Sequence, residues 1–268
     1  MIELEKLNCT FFPGTPNAKT VIRDLDLTVA AGEFVTIIGS NGAGKTTLFN
    51  LIAGSLMPTA GRVRIDAADV TAQPEYKRAR TIGRIFQDPL AGTASNMTLE
   101  DNMMITCRKG FKWPVISLNR RMRAYFREQL VDLKMGLESR MKENVSTLSG
   151  GQRQALTLLM MVLSRPAIAL LDEHTAALDP RNAAIVMDLT RRFVDEHRLT
   201  TLMITHNMNH AIAFGSRLLM MDAGDVVIDV SGKEKQRLSV SRLLEMFADV
   251  RHKAFESDAV LLSGAVRG

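Results

Sequence analysis

Between Phe34 and Leu48 a short apolar run, Phe34-Val35-Thr36-Ile37-Ile38, opens into Gly39-Ser40-Asn41-Gly42-Ala43-Gly44-Lys45-Thr46-Thr47 and then an apolar helical pattern. The spacing is G-x-x-x-x-G-K-[ST], that of a loop which cradles phosphates. Glycines at 39, 42 and 44 let the backbone adopt positive φ and approach a ligand closely. The loop amides and the N-terminus of the following helix then point at an anion. Lys45 brings a mobile positive charge to the β- and γ-phosphates, and the Thr46 hydroxyl is placed to ligate Mg²⁺.

A second acidic element answers this basic one. Leu170-Leu171-Asp172-Glu173 closes an apolar run with two adjacent carboxylates. Hydrolysis of a nucleotide needs one carboxylate beside the metal and one group to orient or activate water. Asp172 takes the first role and Glu173, as general base, the second. An acidic pair at a strand end is more often a solvated turn; its weight comes from sharing a chain with the phosphate loop. Leu148-Ser149-Gly150-Gly151-Gln152 precedes a helix that Ser149 can cap, leaving an N-terminus open to an anion or simply capped. Thr205-His206 follows another apolar run, placing His206 within reach of a γ-phosphate unless it is merely structural. Gln87 likewise stands at a strand end.

These residues need a scaffold, and the chain is long enough to build one. It has 268 residues, 46% hydrophobic and 24% charged, as expected of a folded soluble protein with a sizeable core. The net charge of +5 suits nucleic acid, nucleotide or an anionic membrane surface, and equally a soluble protein with a modest excess of Lys and Arg. Two distant cysteines, Cys9 and Cys107, form neither a metal pattern nor a disulfide framework, which fits a reducing compartment. The first residues lack the shape of a signal peptide. The longest apolar run, ended by Arg165 and Pro166, is too short to span a bilayer. A membrane role therefore implies docking on another protein.

Strands are expected over 2–12 and 20–29, with a turn at Pro13-Gly14-Thr15-Pro16-Asn17 between them, and over Phe34–Ile38, Gly61–Asp66 and Thr81–Phe86. Pro89 ends the last of these. Helical periodicity then dominates 90–165, read as a helical subdomain inserted into an α/β core made of 1–89 and 166–230. Its basic stretch, with Arg108, Lys109, Lys112, Arg120, Arg121, Arg123 and Arg127, is either a solvated helical face or a contact to a partner or to anionic headgroups. Ala167–Leu171 is unalternating, like a buried parallel strand. A helix at 181–197, strands at Thr201–Thr205, Leu218–Met221 and Val226–Val230, and a short helix from Asn207 complete the core. Residues 231–268 read as a helix around Val240–Phe247 followed by a polar tail.

Taken together and in order, these stretches resemble the ATP-binding subunit of ABC transporters. Gly39–Thr46 is similar to the Walker A loop, Gln87 to the Q-loop, and Leu148–Gln152 to the LSGGQ signature without a mismatch. Leu170–Glu173 is similar to the Walker B strand, Ala177-Leu178-Asp179 to the D-loop, and His206 to the switch histidine. The likeness covers roughly residues 2–230. It implies a P-loop NTPase core of mainly parallel sheet with helices on both faces, an N-terminal antiparallel β subdomain and the inserted helical subdomain. It also implies ATP and Mg²⁺ as cofactors, with Thr46, Gln87 and Asp172 on the metal.

Two such subunits, identical copies or paralogues, would sandwich two ATP molecules head to tail, Ser149, Gly150, Gly151 and Gln152 of one meeting the nucleotide of the other and Asp179 communicating across the interface. An aromatic residue near the N-terminus would stack on adenine; Phe11 fits that place, with Phe12 as its rival. The subunit would sit peripherally on the cytoplasmic face of the cell membrane, docked on a permease served by an extracytoplasmic binding protein, with no nucleic-acid partner. The family usually has Pro after the Walker B Glu; here it is His174. The stretches around Asp172–Pro180 and Phe12–Asn17 resemble a bacterial branch serving amino-acid-type importers. Competing readings are an exporter ATPase, a soluble ABC-type ATPase acting on nucleic acid or ribosomes, and a non-catalytic nucleotide-binding regulator. The last is disfavoured by the presence of Lys45, Glu173 and His206.

Overall fold

The computed structural model describes residues 1–107 and 118–249. A four-stranded antiparallel sheet is ordered β2-β1-β4-β5 and built from β1 (Ile2–Phe11), β2 (Lys19–Val29), β4 (Ala60–Ile65) and the short β5 (Ala68–Asp69). The apolar residues of β1 alternate with polar ones, so one face packs inward and the other meets solvent. The second sheet is ordered β10-β9-β3-β8-β7-β6, from β3 (Phe34–Gly39), β6 (Ile82–Ile85), β7 (Ile168–Asp172), β8 (Thr200–Ile204), β9 (Arg217–Asp222) and β10 (Asp225–Ser231). It is parallel throughout except for β10, which returns antiparallel on β9. All residues of β7 and β8 are buried, which explains why their sequences do not alternate.

The helices are α1 (Lys45–Ala53), α2 (Glu75–Arg78), α3 (Leu99–Cys107), α4 (Arg120–Val131), α5 (Gly150–Leu163), α6 (Pro180–His197), α7 (Met208–Ala213) and α8 (Gly232–Gln236), followed by a last helix over 240–249. One apolar cluster joins both sheets around α1 through Leu48, Phe49, Leu51 and Ile52. Another fills the space between α3, α4, α5 and α6, with Met103, Phe126, Leu130, Leu158 and Phe193. The methionines in it are core filling, as their adaptable shape favours.

The fold is the expected one, with local differences. β5 and α2 are absent from the sequence reading because each is too short to carry a period. Of the basic stretch, Arg108, Lys109 and Lys112 lie outside the described residues. Arg120, Arg121 and Arg127 are exposed on α4, while Arg123 pairs with Glu100 at 3.0 Å. The tail beyond 249 is also outside the described residues.

Candidate functional site

Three parallel strands deliver the chemistry to one edge of the sheet. β3 ends at Gly39, β7 at Asp172 and β8 at Ile204, all at the carboxyl ends where α/β sheets bind ligands. The chain leaves β3 through a tight turn. A Cβ on Gly39 would lie 2.1 Å from the carbonyl oxygen of Met221, and on Gly44, at φ +98°, 2.8 Å from Ile22 Cδ1. Only glycine fits either position. Gly44 is also the N-cap of α1, and no side chain caps that helix. Its first-turn amides, which have no partner inside a helix, therefore remain available to an anion.

The loop and the first turn of α1 line a cavity of about 410 Å³ together with Lys19, Val21, Glu173 and His206. Lys45 is 6% exposed, and its Nζ donates to the carbonyls of Gly39 (2.8 Å) and Ser40 (2.9 Å). Burial lowers its pKa, against the pull of Glu173 and Asp172. Ser40 Oγ donates to Asp222 Oδ1 at 2.8 Å, tying the loop to the end of β9.

Opposite the loop, Glu173 follows β7 in the left-handed region (φ 46°), its N–H donating to the carbonyl of Ile204 at 3.0 Å. Glu173 Oε1 lies 2.5 Å from His206 Nε2. Asp172 is 7% exposed; burial raises its pKa, while Arg84, 3.6 Å from Oδ2, opposes that shift. A buried cation, an open helix N-terminus and a carboxylate paired with an imidazole form a site for a phosphorylated ligand that can be hydrolysed.

Residues 22–176, more than half of the chain, match the family described as ABC transporter. The chain belongs to that family. It is an ABC ATPase. A tyrosine transport ATP-binding protein of Clostridioides difficile (strain R20291) is 40% identical over 247 residues, which are 92% of this chain and 98% of that protein. A methionine import ATP-binding protein of Enterococcus faecalis (strain ATCC 700802 / V583) is 35% identical over 246 residues, 89% of this chain and 68% of that protein. Among solved structures, a dimeric ATP-binding cassette in a post-hydrolysis state, bound to ADP and Pi, superposes with a TM-score of 0.72 at 27% identity. The match covers 86% of this chain and 98% of that one.

The remaining motifs of this ABC ATPase fall outside the cavity. Ser149 caps α5 in a reciprocal capping box, accepting from the Gln152 amide (3.3 Å) while Gln152 Oε1 accepts from the Ser149 amide (3.2 Å). Arg140 and the Met135 carbonyl hold the Gln152 side chain from the other side. Gly151 packs on α6: a Cβ there would lie 2.6 Å from Asn182 Cγ. Asp179 caps α6, bonded to both the amide and the side chain of Asn182, and these bonds lower its pKa. None of Ser149–Gln152 lines the cavity. Gln87 is exposed beyond the end of β6 and does not line it either.

Phe11, at the end of β1, packs half-buried against the core and pairs with Lys19, whereas Phe12 is 67% exposed at φ 51°. The cavity is thus flanked but not lined by Phe11. His174 is 3% exposed and bonds Thr190 Oγ1 of α6 at 3.0 Å; burial lowers its pKa to about 4.

Three contributors escaped the sequence reading: Lys19, Asp222 and Arg84. Only Arg84 left a signal, as a charge in the otherwise apolar strand Ile82-Gly83-Arg84-Ile85. The donors fit a Mg²⁺ ion that keeps water and phosphate oxygens in its shell: one hydroxyl, Thr46, and one strand-end carboxylate, Asp172. Among the described residues no group of three or more His, Cys, Asp or Glu forms a cage of its own. Nor, among them, is any helix long and apolar enough to cross a membrane.

Proposed function

We propose that this ABC ATPase powers import of a small solute, an amino acid, through a separate membrane permease. The observation that carries this reading is the 40% identity, over almost the full length of both chains, with a tyrosine transport ATP-binding protein. In the proposal the subunit sits peripherally at the cytoplasmic face of the cell membrane, and an extracytoplasmic binding protein delivers solute to the permease.

Each site residue has an assigned part. Lys45 neutralises the β- and γ-phosphates, and the amides of Asn41, Gly42, Ala43, Gly44, Thr46 and Thr47 surround them. Glu173 takes the proton from the attacking water, and His206, in contact with it, fixes its orientation. Thr46 and Asp172 would hold Mg²⁺ with the nucleotide, and the ion would supply charge neutralisation of the phosphate oxygens. Gln87 joins the metal side only if the segment beyond β6 moves inward. Phe11 supplies the adenine platform at the rim.

Because Ser149, Gly150, Gly151 and Gln152 stand away from their own cavity, the proposal gives them the nucleotide of a second ATPase subunit, with Asp179 at the shared interface. The test is reconstitution in proteoliposomes with a candidate partner permease. ATP-dependent uptake of labelled tyrosine or a related amino acid, lost in Glu173→Gln, is the expected result. ATP hydrolysis without uptake of any amino acid, or failure to recover the chain with the permease, overturns the reading.

A further inference from the structure

Arg84 does not belong to the phosphate cavity, yet it is the nearest cation to the carboxylate assigned to the metal. β6 runs parallel to β7 with Arg84 opposite Leu170. Side chains two residues apart along a strand share a face, so Arg84 and Asp172 stand on the same face of the sheet. Arg84 Nη2 lies 3.6 Å from Asp172 Oδ2, and the two side chains are 11% and 10% exposed. The guanidinium also stacks over the Phe86 ring, 4.7 Å from its centroid, and Nη1 reaches Ser55 Oγ at 3.4 Å. Its Nε is buried without a hydrogen-bond partner.

Every polar contact of this side chain is therefore long. A tight guanidinium–carboxylate bond runs about 2.7–2.9 Å and is usually two-pronged. Arg84 instead compensates the charge of Asp172 without locking onto it, and Phe86 and Ser55 provide places to rest when the carboxylate is engaged elsewhere.

We infer that Arg84 is the resident counter-ion of Asp172, a positioning residue that holds the carboxylate ready and is displaced from it as the metal–nucleotide complex binds, so that it weakens metal affinity. The inference rests on the reading of Asp172 as the metal-side carboxylate. It makes Arg84 a competitor of the divalent ion, and the route of displacement, toward Phe86, leads along β6 to the segment holding Gln87.

The experiment titrates the full chain, held in excess over ATP so that little nucleotide is free to chelate the ion, with Mn²⁺ and follows the free-ion signal by electron paramagnetic resonance. It uses the parent, Arg84→Met, Arg84→Gln, Arg84→Lys and Asp172→Asn, each first checked for native circular dichroism. An opposite charge within about 4–6 Å changes the proton affinity of a carboxylate by roughly ten- to a thousandfold, and the same attraction acts against another cation. At the loose end of that range, Arg84→Met binds Mn²⁺ about tenfold more tightly than the parent. Arg84→Gln, which keeps a donor without the charge, also binds more tightly, and Arg84→Lys behaves like the parent. Asp172→Asn binds Mn²⁺ more weakly. If Asp172→Asn leaves Mn²⁺ affinity unchanged, the underlying metal reading fails. If Asp172→Asn weakens it while neither neutral variant of Arg84 tightens it, the counter-ion inference alone is overturned. Should Arg84→Met not fold, Arg84→Gln decides the matter.

Discussion

Glu173→Gln isolates one proton transfer. Glu173 occupies a left-handed backbone position secured by its own amide to the carbonyl of Ile204 (3.0 Å), a bond that the side chain does not make. Gln therefore inherits the same backbone, and its amide still reaches the imidazole of His206, now 2.5 Å from Oε1. What is lost is the ability to take a proton from water. General-base contributions of about 10²–10⁴-fold correspond to about 2.7–5.4 kcal/mol of transition-state stabilisation. Turnover should fall by that factor. ATP affinity should not fall, because the substitution removes a negative charge close to Lys45 and to an anionic ligand.

Phosphate release at saturating ATP measures the first quantity, and equilibrium binding of a fluorescent ATP analogue the second. His206→Ala should add little to Glu173→Gln, since groups in contact act as a unit and their losses do not sum. With ATP and Mg²⁺ the unhydrolysed complex should elute as a dimer on size exclusion, and Ser149→Arg should abolish that dimer while monomeric ATP binding persists. Parental turnover in Glu173→Gln would refute the base assignment. A parallel loss of ATP affinity would place Glu173 in binding rather than chemistry.

Lys45→Ala should abolish ATP binding, seen in a flat calorimetric titration, while the circular dichroism spectrum stays native, because the ammonium bonds only loop carbonyls at the cavity. Gly151→Ala drives a Cβ to 2.6 Å from Asn182 Cγ and 2.8 Å from Asn182 Cβ and should destabilise the chain by roughly 1–3 kcal/mol in urea unfolding. His174 is buried neutral, with a folded-state pKa of about 4 against about 6.5 unfolded. Its imidazole takes up a proton in the unfolded chain first, so its stabilising contribution is whole above pH 6.5 and is lost as pH falls toward 4, in total roughly 3 kcal/mol. Relative to the parent, His174→Leu should therefore show a shallower decline of unfolding free energy between pH 6.5 and 4, and parallel curves would refute the burial argument.

The motifs were legible because each is local. Gly39 to Thr46 fixes a loop and the first turn of a helix within one stretch of backbone, Ser149 to Gln152 caps its own helix, and Asp179 with Pro180 starts another. The unalternating β7 and β8 announced a buried parallel sheet, since strands covered on both faces have no polar side to show. The meeting of Glu173 with His206 was guessable too, as both follow strands that run the same way and end at the same edge.

What the tertiary structure alone decided is which residues become neighbours across elements. The register of β6 on β7 puts Arg84 on the face of Asp172; a slip of one residue would turn it to the other side of the sheet. The parallel pairing of β9 with β3 brings Asp222 beside Ser40, and the pairing of β1 with β2 carries Lys19 into the cavity lining while Phe11 only flanks it. Spacing along a chain sets the conformation of a loop or a helix. Register between strands depends on how whole faces pack, and that is set by the summed burial of side chains far apart in the sequence.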